Sequence, residues 1–266
     1  MNAPTLLVIA TLSLYAAATV LIWRAHRAGQ QTGGAAMVLG GCAVIAHLLL
    51  TDALLRSDAG LNLGLVPVVV LLLLIATLFV LAASLFAPVR NLLLFAFPAS
   101  AAAVALTLGS SEPTPVGELS TPLVIHILFA IVAYGILIMA AAQSLLLSYQ
   151  ERHLKQHVSG GLLQVLPPLE TMERLLFAML WLGIGILTLA IVTGFAYLDD
   201  LFAQRVVHHT VLACLSWLVY AVLLTGRRLF GWRGTTAVRF TLLAFGLLVL
   251  GYLGSKFVIE VLLAQS

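Results

Sequence analysis

Residues 62–87 read NLGLVPVVVLLLLIATLFVLAASLFA, an unbroken apolar run without a charged side chain. A helix needs about 20 apolar residues to cross the roughly 30 Å hydrocarbon core of a bilayer. This run is longer than that and has no polar face, so it does not suit a helix at the surface of a soluble core. The stretch predicts a membrane-spanning helix.

The composition of the whole chain supports the same conclusion. Of 266 residues, 62% are hydrophobic and 9% are charged, whereas a soluble domain is about 45–50% apolar and about 25% charged. Such a chain has too few polar residues to cover a soluble fold. Its formal net charge of +3 is too small to suggest a nucleic-acid partner. We therefore expect a polytopic membrane protein whose surroundings are lipid.

Counting runs of this length along the chain predicts eight spans, and hence an all-α bundle. They cover residues 4–23, 35–55, 62–87, 91–109, 123–147, 174–198, 206–225 and 236–263. We expect one transmembrane domain over 1–266, made of a four-helix part (1–122) and a second four-helix part (123–266).

The positions of Lys and Arg predict the orientation, because positively charged loops stay in the cytoplasm. Ten of the thirteen fall on one side of the predicted bundle. They are Arg24, Arg27, Arg90, Arg152, Lys155, Arg174, Arg227, Arg228, Arg233 and Arg239. The other side has Arg56, Arg205 and Lys256. Both termini are therefore expected outside the cytoplasm.

No familiar catalytic motif is present. Cys42 and Cys214 lie in apolar runs without a CxxC or CxxCH pattern, which argues against disulfide exchange and covalent haem attachment. Neither a P-loop nor a glycine-rich dinucleotide fingerprint occurs. We expect a protein that is not an enzyme, with any chemistry carried by helix faces and short loops.

Four histidines are predicted to lie inside a membrane span or at its outer end. His126 is the fourth residue of a predicted span that enters from outside, His208 and His209 begin another such span, and His47 lies inside the second span. Ionisable side chains in a membrane are costly and are candidates for function. The other three, His26, His153 and His157, lie in basic segments and are expected to be solvated.

Two imidazoles at matching depth on separate helices suit the two axial positions of a haem. Adjacent helical residues point about 100° apart, so His208 and His209 cannot both face one narrow pocket. We favour His209, whose face also carries Trp217 and Tyr220, and leave His208 as the alternative. The predicted ligands are therefore His126 and His209.

Zinc or copper is the alternative cofactor. Such sites usually recruit a third ligand, and Asp199 and Asp200 are near in sequence, although without an HxxxH spacing. A wide apolar bundle favours a large flat cofactor, non-covalent b-type haem. Haem carboxylates would need a cationic partner, for which Lys256, Arg56 and Arg205 are candidates; alternatively Lys256 pairs with Glu260, four residues on.

Three stretches carry a resemblance to a known family. They are HILFAIVAYGILIMAAAQSLLL (126–147), LPPLETMERLLFAMLWLGIGILTLAIVTG (166–194) and the segment 207–260, which begins VHHTVLACLSWLVY. Together they resemble the cytochrome c assembly family of haem-handling membrane proteins, and more narrowly its YpjD/HemX-like branch. The resemblance covers about 123–260; before that it is topological, apart from His47.

The resemblance implies a role with haem on the extracytoplasmic side of a bacterial cytoplasmic (inner) membrane. The family's histidine before an Ala-Tyr segment is an axial haem ligand, and His126 matches that position. The sequence departs from the family pattern because the tryptophan-rich WGxxWxWD segment is replaced by YLDDLFAQRVVHH (197–209), and the final external His-Ser-Tyr is absent. These departures argue against direct delivery of haem to apocytochrome c.

Two further classes of function stay open. The chain is alternatively a permease component for a small solute, or an accessory scaffold subunit without a cofactor. The expected partners are membrane lipid, haem, and either cytochrome c maturation proteins or a second copy of the chain.

Overall fold

Eight long helices make up most of the described structure. The computed structural model describes residues 3–57, 60–109, 115–116, 120–156, 166–197 and 207–254. The helices are α1 (Ala3–Arg27), α2 (Gly34–Leu55), α3 (Leu65–Ala83), α4 (Leu93–Leu106), α5 (Thr121–Lys155), α6 (Leu169–Tyr197), α7 (Val207–Phe230) and α8 (Thr235–Val249). Eight helical segments in the described residues are long and apolar enough to cross a membrane. The predicted all-α class with eight spans is confirmed.

The helix ends differ from the predicted spans mainly at α5 and α6. Helix α5 continues to Lys155, beyond the predicted end at 147, and α6 begins at Leu169 instead of 174. Hydropathy detects only the apolar part of a helix, whereas polar turns such as the one containing Gln150 and Glu151 continue the same backbone. Helix α8 passes into a π-helical turn at Leu250–Gly254; the predicted span beyond 254 lies outside the described residues.

A three-stranded sheet was not predicted from the sequence. Strands β1 (Arg56–Ser57), β2 (Gly60–Asn62) and β3 (Pro115–Val116) pair antiparallel in the order β1-β2-β3. The side chain of Asn62 stabilises the hairpin, because its Nδ2 donates to the carbonyl of Leu54 at 3.2 Å and its Oδ1 accepts from the N–H of Gly64 at 3.2 Å. Strands of two or three residues are too short to show the alternating pattern that predicts a strand.

Contacts within the chain divide it into two compact units. Unit 1 comprises Met1–Glu118 and Arg152–Pro168, and unit 2 comprises Leu119–Glu151 and Leu169–Ser266. In unit 1, α1 packs against α2 and α4, and α3 packs against the same two helices. Helices α1–α4 therefore form a closed four-helix arrangement.

The interior of unit 1 contains aromatic and polar side chains that join its helices. Tyr15 of α1 is fully buried, its ring centroid 5.5 Å from that of Phe97, and its hydroxyl lies 2.9 Å from Nδ1 of His47. The hydroxyl groups of Thr77 and Ser100 are 2.7 Å apart, which links α3 to α4. The buried His47 ring thus has a partner at Nδ1, while its Nε2 has no hydrogen-bond partner.

Polar contacts likewise connect the helices of unit 2. Gln143 of α5 donates to the carbonyl of Met172 in α6 at 3.0 Å, and Tyr134 of α5 donates to the carbonyl of Leu248 in α8 at 2.8 Å. Ser216 of α7 donates to the carbonyl of Ala244 in α8 at 2.7 Å. Each of these bonds satisfies a polar group that lipid cannot solvate, so together they set the register of the helices.

The expectation that His26 is solvated is wrong. His26 lies in the last turn of α1, is 4% exposed, and its Nδ1 donates to the carbonyl of Ile22 at 2.8 Å. The bond returns to a carbonyl four residues earlier in the ring's own helix, so the imidazole is satisfied locally. His153 lies within α5 and is partly buried, and His157 lies outside the described residues.

Glycine at position 40 makes room for an aromatic side chain. A Cβ at Gly40 would overlap with the ring of Phe97. This ring is fully buried and packs against Tyr15. We expect Gly40→Ala to destabilise the protein by roughly 1–3 kcal/mol through overpacking. The neighbouring Gly41→Ala is the control, because nothing lies within 4 Å of its Cβ position. Thermal unfolding in detergent measures both; equal melting temperatures would contradict the packing argument.

The bond between Tyr15 and His47 is a second test of the core of unit 1. Tyr15→Phe would leave both ring nitrogens of a fully buried imidazole unpaired, which costs about 1–3 kcal/mol. Adding His47→Leu removes the unpaired group, so the double variant should recover part of the lost stability. Denaturant unfolding of the two single variants and the double variant gives the coupling energy, and strict additivity of the single effects would refute this interaction.

Candidate functional site

His126 is held by the backbone of a neighbouring helix. It lies in α5, and its Nδ1 is 2.8 Å from the carbonyl oxygen of Ala190 in α6. A carbonyl only accepts, so Nδ1 carries the proton, and Nε2 retains a lone pair. The imidazole therefore presents a nitrogen that can ligate a metal.

Gly194, one turn after Ala190 on α6, gives the His126 ring its space. A Cβ at Gly194 would stand 3.0 Å from Cε1 and 3.2 Å from Nδ1 of His126. These distances are shorter than ordinary van der Waals contact, so the ring lies directly against the bare backbone of α6. Any side chain at position 194 would have to displace the ring.

His209 begins the apolar segment of α7 and packs beside the π-helical turn at the end of α8. Its ring centroid is 5.5 Å from that of Tyr252, and a Cβ at Gly251 would stand 3.7 Å from its Nδ1. The Gly251 backbone interacts electrostatically with the ring, yet Nδ1 is buried without a hydrogen-bond partner. His209 therefore has a buried nitrogen whose hydrogen-bonding capacity is unused.

The two predicted ligands lie at the same end of one unit and are linked by aromatic contacts. The ring of His209 packs against Tyr252, whose ring centroid is 6.1 Å from that of Tyr134 on α5, the helix that carries His126. Two imidazoles from separate helices, flanked by aromatic rings, thus lie at the end of unit 2 where α5 and α7 begin and α6 and α8 end.

The other predicted residues fall elsewhere or outside the described part. His47 is fully buried in unit 1 against Tyr15. Arg56 is exposed and its Nε donates to Asp52 at 2.8 Å. His208 lies in the first turn of α7, but its side chain is outside the described residues.

Arg205, Lys256 and Glu260 all lie outside the described residues, as do Asp199 and Asp200. Their predicted roles as partners of haem carboxylates, as an ion pair or as zinc ligands therefore stay predictions. Within the described part of the chain, no three His, Cys, Asp or Glu side chains gather closely enough to hold a metal ion.

Sequence reasoning identified the histidines but missed the groups around them. A backbone carbonyl such as that of Ala190 has no sequence signal, and neither does the close approach at Gly194 or Gly251. Tyr252 carried a weak signal, since an aromatic residue near the end of an apolar span is common in membrane helices. Trp217, expected to offer a surface for a planar ligand, instead donates its Nε1–H to Thr188 at 2.9 Å and links α7 to α6.

Comparison with known proteins shows which family this architecture represents. The model of the cytochrome c assembly protein family matches residues 35–263, which includes α2–α4 and therefore extends well beyond the segment where the sequence resemblance was noted. Inner membrane protein YpjD of Escherichia coli (strain K12) is 32% identical over 238 residues, covering 86% of this chain and 89% of YpjD.

A second relative matches a smaller part of the chain. An uncharacterized 28.8 kDa protein of Azospirillum brasilense is 36% identical over 162 residues, covering 59% of this chain and 60% of that protein. No solved structure matches the chain. On the extent of the family match and the identity to YpjD over most of both chains, this protein belongs to the cytochrome c assembly protein family.

Proposed function

We propose that this chain binds haem non-covalently between His126 and His209 and handles it for cytochrome c biogenesis or tetrapyrrole homeostasis. The observation that carries the proposal is the pair of imidazoles on α5 and α7, placed at the same end of unit 2 and linked through the rings of Tyr252 and Tyr134, in a chain of the cytochrome c assembly family. Haem would supply an iron that His126 and His209 would hold through their neutral imidazole nitrogens.

The donor chemistry of the residues fits this cofactor. Nε2 of His126 has a free lone pair because Nδ1 is committed to Ala190. His209 has a buried Nδ1 without a partner. Tyr134 and Tyr252 provide aromatic surface beside the pair. Among the described residues no third protein ligand joins the two nitrogen donors, which suits haem better than zinc, since zinc usually takes three or four protein ligands.

The remaining candidates complete the proposal. His208 is the alternative second ligand, and Lys256, Arg205 and Arg56 are the cations proposed to meet the haem carboxylates. His47 is a further candidate histidine, in unit 1. The function is proposed as binding and handling rather than catalysis, with cytochrome c maturation proteins or a second copy of the chain as partners.

We infer that the histidine pair faces the outside of the bacterial cytoplasmic membrane. The relative YpjD is named an inner membrane protein. Within unit 2 the basic residues and the histidines occupy opposite ends; at roughly 1.5 Å per residue, His209 and Arg227 are about 27 Å apart along α7. Since Lys and Arg favour the cytoplasmic side, both termini and the haem site lie outside.

The absorption spectrum of the purified full-length protein tests haem binding. Gently solubilised protein, reconstituted with haemin where necessary, should show the sharp split visible bands of a low-spin haem with two imidazole ligands when reduced. We expect His126→Ala to lose most of the bound haem and His209→Ala to give a high-spin spectrum. The control is His153→Ala, at the opposite end of α5, which should leave the spectrum unchanged.

The outcome also separates the competing functions. A colourless protein that takes up no haemin on reconstitution would refute the proposal. Co-purification of a partner in fixed ratio, unaffected by the histidine substitutions, would indicate a scaffold subunit instead.

Orientation is tested by reporter fusions. Alkaline phosphatase folds only outside the cytoplasm, so a fusion after the C-terminal Ser266 should be active and a fusion after Arg233 should be inactive. The reverse pattern would place the histidine pair on the cytoplasmic side and would contradict the inferred orientation while leaving haem binding untouched.

A further inference from the structure

The contacts of His126 differ in kind from those of His209, although both are proposed as ligands of one haem. His126 has an acceptor-only partner, the carbonyl of Ala190, at 2.8 Å. His209 has no hydrogen-bond partner at Nδ1. The difference determines which nitrogen of each ring is available and how firmly it is presented.

The Ala190 carbonyl selects one tautomer of His126. A neutral imidazole carries its proton on either nitrogen, and the choice is set by the bond that the other nitrogen makes. The hydroxyl of Thr193 also lies 3.0 Å from this carbonyl, but it is closer to the carbonyl of Leu189, at 2.7 Å. The Ala190 oxygen therefore remains available to His126, and the ring is held as the Nδ1–H form.

Gly194 also limits the position of the ring. Its Cα lies on the same face of α6 as Ala190, one turn further on, and a Cβ there would press on Cε1 and Nδ1 at 3.0 and 3.2 Å. The ring would have to shift by a few tenths of an ångström to accommodate it, and Nδ1 is the same atom that is bonded to Ala190. The carbonyl and the bare glycine thus define one position of the imidazole together.

We propose that the Ala190 carbonyl and Gly194 form a positioning device that presents Nε2 of His126 as the anchoring ligand of the haem site, leaving His209 as the exchangeable ligand. This inference rests on the proposed haem-binding function and assigns different roles to its two ligands. A hydrogen bond from the remote N–H of a ligating histidine to a carbonyl fixes the ring and increases its basicity. His126 has this support at 2.8 Å, whereas Nδ1 of His209 has an electrostatic interaction with the Gly251 backbone but no hydrogen bond.

The device is tested first in the haem-free full-length protein. Histidine ¹⁵N chemical shifts distinguish the two neutral tautomers. Wild-type His126 should show the Nδ1–H form, and Gly194→Ala should give a mixture with the Nε2–H form. The matched control is Gly185→Ala in the same helix, where nothing lies within 4 Å of the Cβ position. An unchanged Nδ1–H signal in Gly194→Ala would overturn the positioning role.

The second measurement uses the haem-loaded protein. Loss of a group that supports a ligating histidine typically weakens binding by about 10–100-fold, so Gly194→Ala should release haem to apomyoglobin by roughly that factor faster than Gly185→Ala. Carbon monoxide added to the reduced wild type should replace His209 and leave His126 bound. Equal release from the two glycine variants, or replacement of His126, would refute the assignment.

The two experiments distinguish failure of the proposed haem binding from failure of the positioning role. If the wild type binds no haem, the proposed function is refuted, while the tautomer of His126 can still be read in the haem-free protein. If haem binds but the tautomer does not depend on Gly194, the function survives and the positioning device does not.

Discussion

The absence of water from the hydrocarbon core is the constraint that organises this protein. Each polar group inside the bundle must find a partner within the chain, because lipid offers none. Most hydroxyl groups satisfy this locally. Thr11, Thr19, Thr51 and Thr188 each donate to the carbonyl four residues earlier in their own helix. Such bonds give the hydroxyl hydrogen an acceptor, but they do not by themselves join one helix to another.

The few polar side chains that reach a different helix therefore have a larger role. Tyr134, Ser216 and His126 each donate to a backbone carbonyl of a neighbouring helix in unit 2. A helical carbonyl already accepts one hydrogen bond within its own helix, and its second lone pair accepts the bond from the side chain of the other helix. Since these bonds are directional and apolar packing is not, they determine how far one helix slides along the next.

The eight spans could be predicted because hydropathy is additive along the chain. A run such as 65–83 excludes charge over its whole length, so its location in the membrane does not depend on its neighbours. The candidate histidines could be found for a similar reason, since an ionisable residue in an apolar run is visible in the sequence. What surrounds His126 could not be found, because Ala190 takes part through its carbonyl and Gly194 through the absence of a side chain. Strands β1–β3 were missed because each has only two or three residues, and because β3 pairs with β2 from far away in the sequence, Val116 opposite Leu61.

Three histidines, two of them buried and one partly buried, show how the partner of an imidazole decides what the ring can do. His26 donates to a carbonyl four residues earlier in its own helix and is thereby satisfied locally. His47 meets the phenol of Tyr15, which can donate or accept, so this contact leaves either tautomer possible. His126 meets a carbonyl of another helix, and only one tautomer satisfies it. A tautomer fixed by another helix is what the proposed ligand role of His126 requires. An apolar side chain of similar size would fill the same space without the cost of about 1–3 kcal/mol for an unpaired buried polar atom, a cost that His209 bears at Nδ1. A scaffold with incidental histidines has nothing to offset that cost, whereas a site that coordinates a cofactor does.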